Sequence, residues 1–421
     1  MSTPSRAAGT SPAGTGLPSL PDGSGLPADH PLADGRTADA PLLAAYRSRT
    51  PSRRPVWFMR QAGRSLPEYR AARAGTAMLD ACLAPELAAE ITLQPVRRHG
   101  VDAGIFFSDI VVPLRLAGVD VDIQPGVGPV LGTAVRTAAD VQRLVEESPA
   151  EALTDAVLAP VAEGVRRTVA ELGSTPLIGF AGAPFTLAAY LVEGRPSRDH
   201  LAARTLLHAN PDAWRTLTAW AADVTGAFLR AQVLAGASAA QLFDSWAGSL
   251  SLATYRARVA PASTRALAHV ADLGVPRVHF GTGTGELLAA MRDVGADVVG
   301  VDDRVPLDEA SRRLGGRTPV QGNLDPALLG APWPVLEAHV RDVLARGAAA
   351  PGHVLNLGHG VPPTTDPDVL TRVVRLVHAI EPAAPDGGAP GRPVPLDRRA
   401  LRSPWPDLGR HRDAGPADRP T

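Results

Sequence analysis

"VHFGTGTGELLAAMRDVGADVVGVDD", residues 278–303, can be read in two ways, and the choice decides the fold. An apolar run, a glycine-rich turn, an amphipathic stretch and a second apolar run ending in Asp302 imitate a dinucleotide or S-adenosylmethionine site. The spacing argues against it, because the glycines fall at 281, 283 and 285 and do not make G-x-G-x-x-G. Only two convincing strands follow Asp302 and five strand units precede it, whereas a doubly wound sheet would have to begin here. The stretch is better placed in the middle of a longer repeat.

That repeat extends in both directions. Short apolar runs occur at 55–59, 103–109, 176–181, 239–244, 276–281, 298–302, 318–323 and 353–358. Helical periodicity fills the gaps, most clearly at 85–100, 211–236, 306–316 and 368–381. Apolar runs without polar alternation suit strands buried on both faces, as parallel sheets require. Eight strand-then-helix units over about 340 residues predict an α/β fold, a (β/α)8 barrel in a single domain at 38–382. Residues 1–37 are Pro/Gly/Ser-rich with no apolar core, and 383–421 are Pro/Gly/Arg-rich, so both are expected to be disordered tails.

Composition removes several classes of function. The 421 residues are 45% hydrophobic with a formal charge of −1, so no basic excess points to nucleic acid or a membrane surface. No stretch reaches the roughly 18 to 20 apolar residues of a membrane helix. A single cysteine, Cys82, excludes an internal disulfide and any Cys-Cys metal site, which suits a reducing cytoplasm. No H-E-x-x-H occurs, and no metal is expected. All 42 basic residues are Arg, so no lysine exists to form a Schiff base.

In a barrel, chemistry gathers at the carboxyl ends of the strands. "PVWFMRQAGRSLPEYR", 55–70, runs from a buried strand into Arg60 and Arg64 around Gly63, a glycine that implies a special turn. Residues 47–73 hold eight arginines and one acid; Arg47 to Arg54 read as a solvated face, whereas Arg60 and Arg64 read as forks for an anionic ligand with several carboxylates or phosphates. Asp109, in "FFSDIVVP", either ends a strand or stands as a lone carboxylate in an apolar mouth. Tyr190 is either a core aromatic or a site residue. Ser245 in "LFDSWAG" either caps a helix or faces the ligand. His359 lies between glycines that would let the backbone approach a ligand.

Six collinear stretches, "PVWFMRQAGRSLPEYR", "IFFSDIVVP", "GFAGAPFTLAAYLVEG", "QLFDSWAG", "QGNLDP" and "NLGHGVPP", resemble the uroporphyrinogen decarboxylase family over about Leu42 to Ile380. The resemblance implies a barrel, a homodimer, a tetrapyrrole substrate and decarboxylation of its four acetate arms without a cofactor. It makes Asp109, Arg60, Tyr190 and His359 the catalytic set, with proton donation by Arg60 left open. Arg60, Gln61, Ala62, Gly63, Arg64, Arg73, Asp109, Tyr190, Ser245 and His359 become substrate contacts, and Phe58, Ile105 and Phe107 the pocket lining. Two other functions compete: a zinc-dependent methyltransferase of similar fold, which would need two cysteines beside a histidine, and an inactive anion-binding barrel.

Overall fold

The structure, a computed structural model, describes residues 25–381. Its strands are β1 (Gly104–Ile105), β2 (Val121–Gln124), β3 (Gly128–Leu131), β4 (Leu177–Gly182), β5 (Ala239–Asp244), β6 (Arg277–Gly281), β7 (Val298–Gly300), β8 (Val320–Gln321) and β9 (His353–Val354). Seven form one parallel sheet in the order β1-β4-β5-β6-β7-β8-β9, while β2 and β3 make a separate antiparallel hairpin. Strands and helices alternate along the chain, so each parallel pair is joined by a crossover. The residues quoted at 278–303 form β6 and β7, flanked in the sheet by β5 and β8. They are the interior of a continuous sheet and do not begin one. The Asp302 carboxylate, which a nucleotide site would present to a ribose, accepts from Gly283 N at 2.6 Å.

Composition explains the layers. β4 and β5 are buried at every residue, as strands covered on both faces must be. The helices Pro85–His99, Pro211–Leu234 and Pro367–Ala379 each open on proline, whose fixed φ and missing N–H suit the first helical turn. Helix Pro85–His99 stops at Gly100, in the left-handed region at φ 67. Within the sheet the core carries a polar layer: Trp57 Nε1 and the Tyr46 hydroxyl both donate to Gln321 Oε1, and Gln321 Nε2 reaches Gln241 Oε1 at 3.3 Å.

The expected strand at 55–59 is reduced to a single bridge, Val56 to Leu355. Side chains take over its hydrogen bonds: Val56 N donates to Asp102 Oδ2, Phe58 N to Gln61 Oε1 and Met59 N to Asn356 Oδ1. The segment nevertheless touches both margins of the sheet. Leu355 N donates to Pro55 O and Trp57 N to Leu355 O, while Asp102 N donates to Val56 O just ahead of β1.

The expected tail at 1–37 is corrected at its end. His30, Leu32 and Thr37 are buried; His30 Nε2 donates to Val233 O, its Nδ1 accepts from Leu32 N, and the Thr37 and Ser238 hydroxyls bond at 3.0 Å. Composition hid a strap that packs through a few specific contacts. Residues 1–24 and 383–421 of the expected tails, with residue 382 of the expected domain, lie outside the described residues. Among those described, no helix is long and apolar enough to cross a membrane.

Candidate active site

Arg60 follows the bridge at Val56 with φ 59, a left-handed conformation that a side chain rarely adopts. The special backbone expected at Gly63 is thus at Arg60. Gly63 is needed for a different reason: a Cβ there would stand 2.9 Å from the Arg60 carbonyl oxygen. Arg60 lies across the 358–360 loop, since a Cβ on Gly360 would come within 2.4 Å of its Cδ. The Gly360 that follows His359 therefore makes room for the arginine. Such a backbone outlier points to function when the surrounding structure holds it in place. Neither Arg60 nor Arg64 enters an ion pair among the described residues, and both are exposed.

Asp109 follows β1 and Phe107, keeps part of its surface open, and accepts from Val111 N through Oδ1 at 3.1 Å. Burial pushes its carboxyl above the ordinary value, against the opposing pull of the Val111 N–H and the Arg60 charge. Tyr190 projects from helix Pro184–Glu193 and stacks on Trp246 with ring centroids 3.9 Å apart. Its phenol is pushed up to about 12, first by burial and then by the negative charge of Asp109, with Arg60 opposing. His359 has an edge open to solvent, yet its surroundings desolvate the ring, and this lowers its pKa, with the Arg60 charge adding to the effect. One guanidinium therefore acts on Asp109, Tyr190 and His359 together. Four sequence-distant elements converge there.

The remaining residues divide. Ser245 follows β5 and is part-buried; its carbonyl accepts from the Thr282 hydroxyl at 2.6 Å, and its own hydroxyl caps no helix among the described residues. It lines a cavity of about 460 Å³. Arg73 caps the end of helix Pro67–Ala72, donates to Thr76 O at 3.0 Å and stands 5.7 Å from the Tyr69 ring centroid. Ile105 and Phe107 are nearly buried, with Phe107 edge-on to Tyr69. Ala62 is part-buried on the turn.

Two of the expected residues have buried side chains. The Gln61 side chain is wholly buried, bonded to Phe58 N and to Ala103 O, and clips the turn to the chain ahead of β1. Phe58 is also wholly buried and packs in the core.

The sequence reading missed Thr186, Asp244 and Trp246. Thr186 donates to Asp244 Oδ1 at 2.8 Å and its oxygen accepts from Trp246 N at 3.4 Å, tying the Tyr190 helix to the loop after β5. "FDSW" displayed two of them, but only the side-chain contacts show that they share a partner, Thr186 on helix Pro184–Glu193.

The arrangement can hold several carboxylates on free guanidinium groups around one desolvated carboxylate and one phenol. The uroporphyrinogen decarboxylase family model matches residues 37–380. Curated relatives named uroporphyrinogen decarboxylase include one from Arthrobacter sp. (strain FB24), 72% identical and covering 83% of this chain and 99% of that protein. Another, from Leifsonia xyli subsp. xyli (strain CTCB07), is 66% identical and covers 83% and 97%. Among solved structures, a methyltransferase from Methanosarcina mazei superposes with a TM-score of 0.67 at 19% identity, covering 81% of this chain and 98% of its own. At that identity the likeness concerns the fold alone.

Proposed function

The chain belongs to the uroporphyrinogen decarboxylase family, and from that premise we propose that it converts the four acetate arms of uroporphyrinogen III to methyl groups, giving coproporphyrinogen III. The observation that carries this reading is the convergence of Arg60, Asp109, Tyr190 and His359, with Arg60 and Arg64 left without counter-ions. The substrate carries carboxylates around its rim and pyrrole N–H groups at its centre. Guanidinium forks suit the first and a lone carboxylate suits the second.

Loss of carbon dioxide leaves an electron pair that needs a sink. No lysine is present to form a Schiff base, and the reading needs no cofactor because the pyrrole supplies the sink itself. A proton added to a ring carbon makes a cationic ring. The C–C bond to the carboxylate breaks into it, the exocyclic carbon takes a proton, and the ring carbon returns one. In net terms one proton replaces one carbon dioxide. Asp109 faces the nitrogens and stabilises the cation from a preorganised, desolvated position. A guanidinium keeps its protons past pH ~12, and the Tyr190 phenol is pushed up to about 12, so we assign both to binding and orientation.

We also read the sheet as a closed (β/α)8 ring in which 55–57 fills the eighth strand position, supported by its hydrogen bonds to both margins. Residues 38–382 are then the catalytic unit. A homodimer in the cytoplasm completes the reading and rests on the family resemblance.

Incubation with uroporphyrinogen under reducing conditions in the dark tests the function. Stepwise appearance of products with seven, six, five and four carboxyls is expected; recovery of unchanged substrate would overturn the reading. The pH profile adds a second test. Asp109 must be ionised to accept from pyrrole N–H groups, and its pKa is raised in the folded protein, so activity is present above that raised pKa and lost as pH falls through it. The acid limb of kcat/KM should lie above the ordinary aspartate value of 3.8. A limb at or below that value would contradict the assignment.

A further inference from the structure

The cavity of about 460 Å³ beyond the ends of β5 and β6 contains chemistry that the site above does not use. Ser197, Arg198, Asp199, His200 and Arg204 form one wall, and Ser245, Trp246 and Thr282 belong to another. Trp246 also stacks on Tyr190, so the cavity and the candidate active site share a wall. The His200 ring packs on Trp246 too, with centroids 4.3 Å apart.

Two observations give the cavity an anionic preference. Arg198 and Arg204 line it and enter no ion pair among the described residues, so with Asp199 counted the lining keeps one net positive charge. His200 is only 5% exposed, and both of its ring nitrogens are buried without a hydrogen-bond partner. Leaving a buried N–H unpaired costs about 1–3 kcal/mol, and because neither ring nitrogen has open surface, the ring has to turn toward the cavity to meet an acceptor on a ligand. His200 also adopts φ 51 and precedes the nine-residue helix Leu201–Ala209, whose first turn is already capped by Glu193, its Oε1 accepting from Ala203 N at 3.0 Å. Arg204 sits one turn further along, on the same face as His200.

We propose that this cavity is a second carboxylate seat, in which Arg198, Arg204 and a His200 N–H take a side-arm carboxylate of the tetrapyrrole whose centre lies at Asp109. The inference rests on the decarboxylase reading and deepens it. Trp246 borders both regions, and the proposal has one macrocycle reach past it from Asp109 into the cavity. A seat for an additional carboxylate favours the most highly carboxylated substrate over its partly decarboxylated successors. Arg198, Arg204 and His200 are then specificity-determining residues, set apart from the reacting carbon.

Kinetics of the wild type, of R198A/R204A and of R198K/R204K test this. In the alanine pair, KM for uroporphyrinogen should rise about tenfold or more, as loss of a charge-assisted contact implies, with kcat within about twofold. The lysine pair, which keeps the charge, should recover most of that loss. Inorganic phosphate should compete with uroporphyrinogen in the wild type, and its Ki should rise in the alanine pair, where only Arg60 and Arg64 remain to hold it. An unchanged KM in a folded alanine pair would overturn the proposal. Phosphate that activates or inhibits without competing would also overturn it, because the cavity would then serve a free anion. If the alanine pair fails to fold, the lysine pair and the wild-type phosphate competition still decide. Failure of the wild type to release carbon dioxide would instead sink the decarboxylase reading.

Discussion

Asp109→Asn lowers kcat for uroporphyrinogen by about 10³-fold while leaving the thermal melt within a degree or two of wild type. The magnitude follows from removing a preorganised charge aimed at a developing one, which costs roughly 10²–10³ in rate where it has been isolated, and a full charge places this case at the upper end. Asparagine keeps the shape, and its carbonyl can still accept from Val111 N, so the turn after β1 persists. The cation formed on the pyrrole loses its counter-charge, and the new amide N–H groups face N–H groups of the ligand. The same substitution should lower the Tyr190 pKa from about 12, because the Asp109 charge is one of its two upward causes. Turnover near the wild-type rate would remove Asp109 from the mechanism.

Asp102→Ala has the largest expected effect on stability. Its side chain has no exposed surface and gathers three parts of the fold: Arg53 at 2.6 Å, Val56 N at 2.8 Å and His378 Nε2 at 2.8 Å. Val56 holds the bridge to Leu355, and His378 lies in the C-terminal helix Pro367–Ala379. Alanine leaves the buried Val56 N–H and the part-buried His378 Nε2 unpaired and frees the Arg53 guanidinium. Breaking a buried pair costs about 3–5 kcal/mol, and the half-exposed Arg53 places this one near 3. A Tm lower by roughly 4 °C is expected for a folded unit of this size. Arg53→Ala should cost only about 1 kcal/mol, since water screens that partner. A melt of Asp102→Ala within about 2 °C of wild type would show that the bridge at Val56 does not depend on this carboxylate.

The two carboxylates illustrate what a linear reading captures. Asp109 stood out because an acid after an apolar run has no local partner, and in the structure it lies within electrostatic reach of Arg60 and Tyr190. Asp102 drew no attention, because its three partners come from positions 53, 56 and 378. Strand positions were legible wherever a run was buried on both faces, and β5 occupies 239–244 as expected. The run at 55–59 had the right composition but lost its ladder to the side chains of Gln61, Asp102 and Asn356. Likewise the side chains of Phe58 and Gln61 lie in the core, Gln61 held there by its bonds to Phe58 N and Ala103 O. The hairpin of β2 and β3 escaped notice because it lies outside the repeat, and the strap at 25–37 because its composition resembles a tail.

The most direct measurement is a crystal structure with coproporphyrinogen bound. The account predicts an Asp109 oxygen within hydrogen-bonding distance, about 3 Å, of the pyrrole nitrogens, with Arg60 and Arg64 on rim carboxylates. A macrocycle bound elsewhere, or Asp109 turned from the nitrogens onto a protein cation, would contradict it.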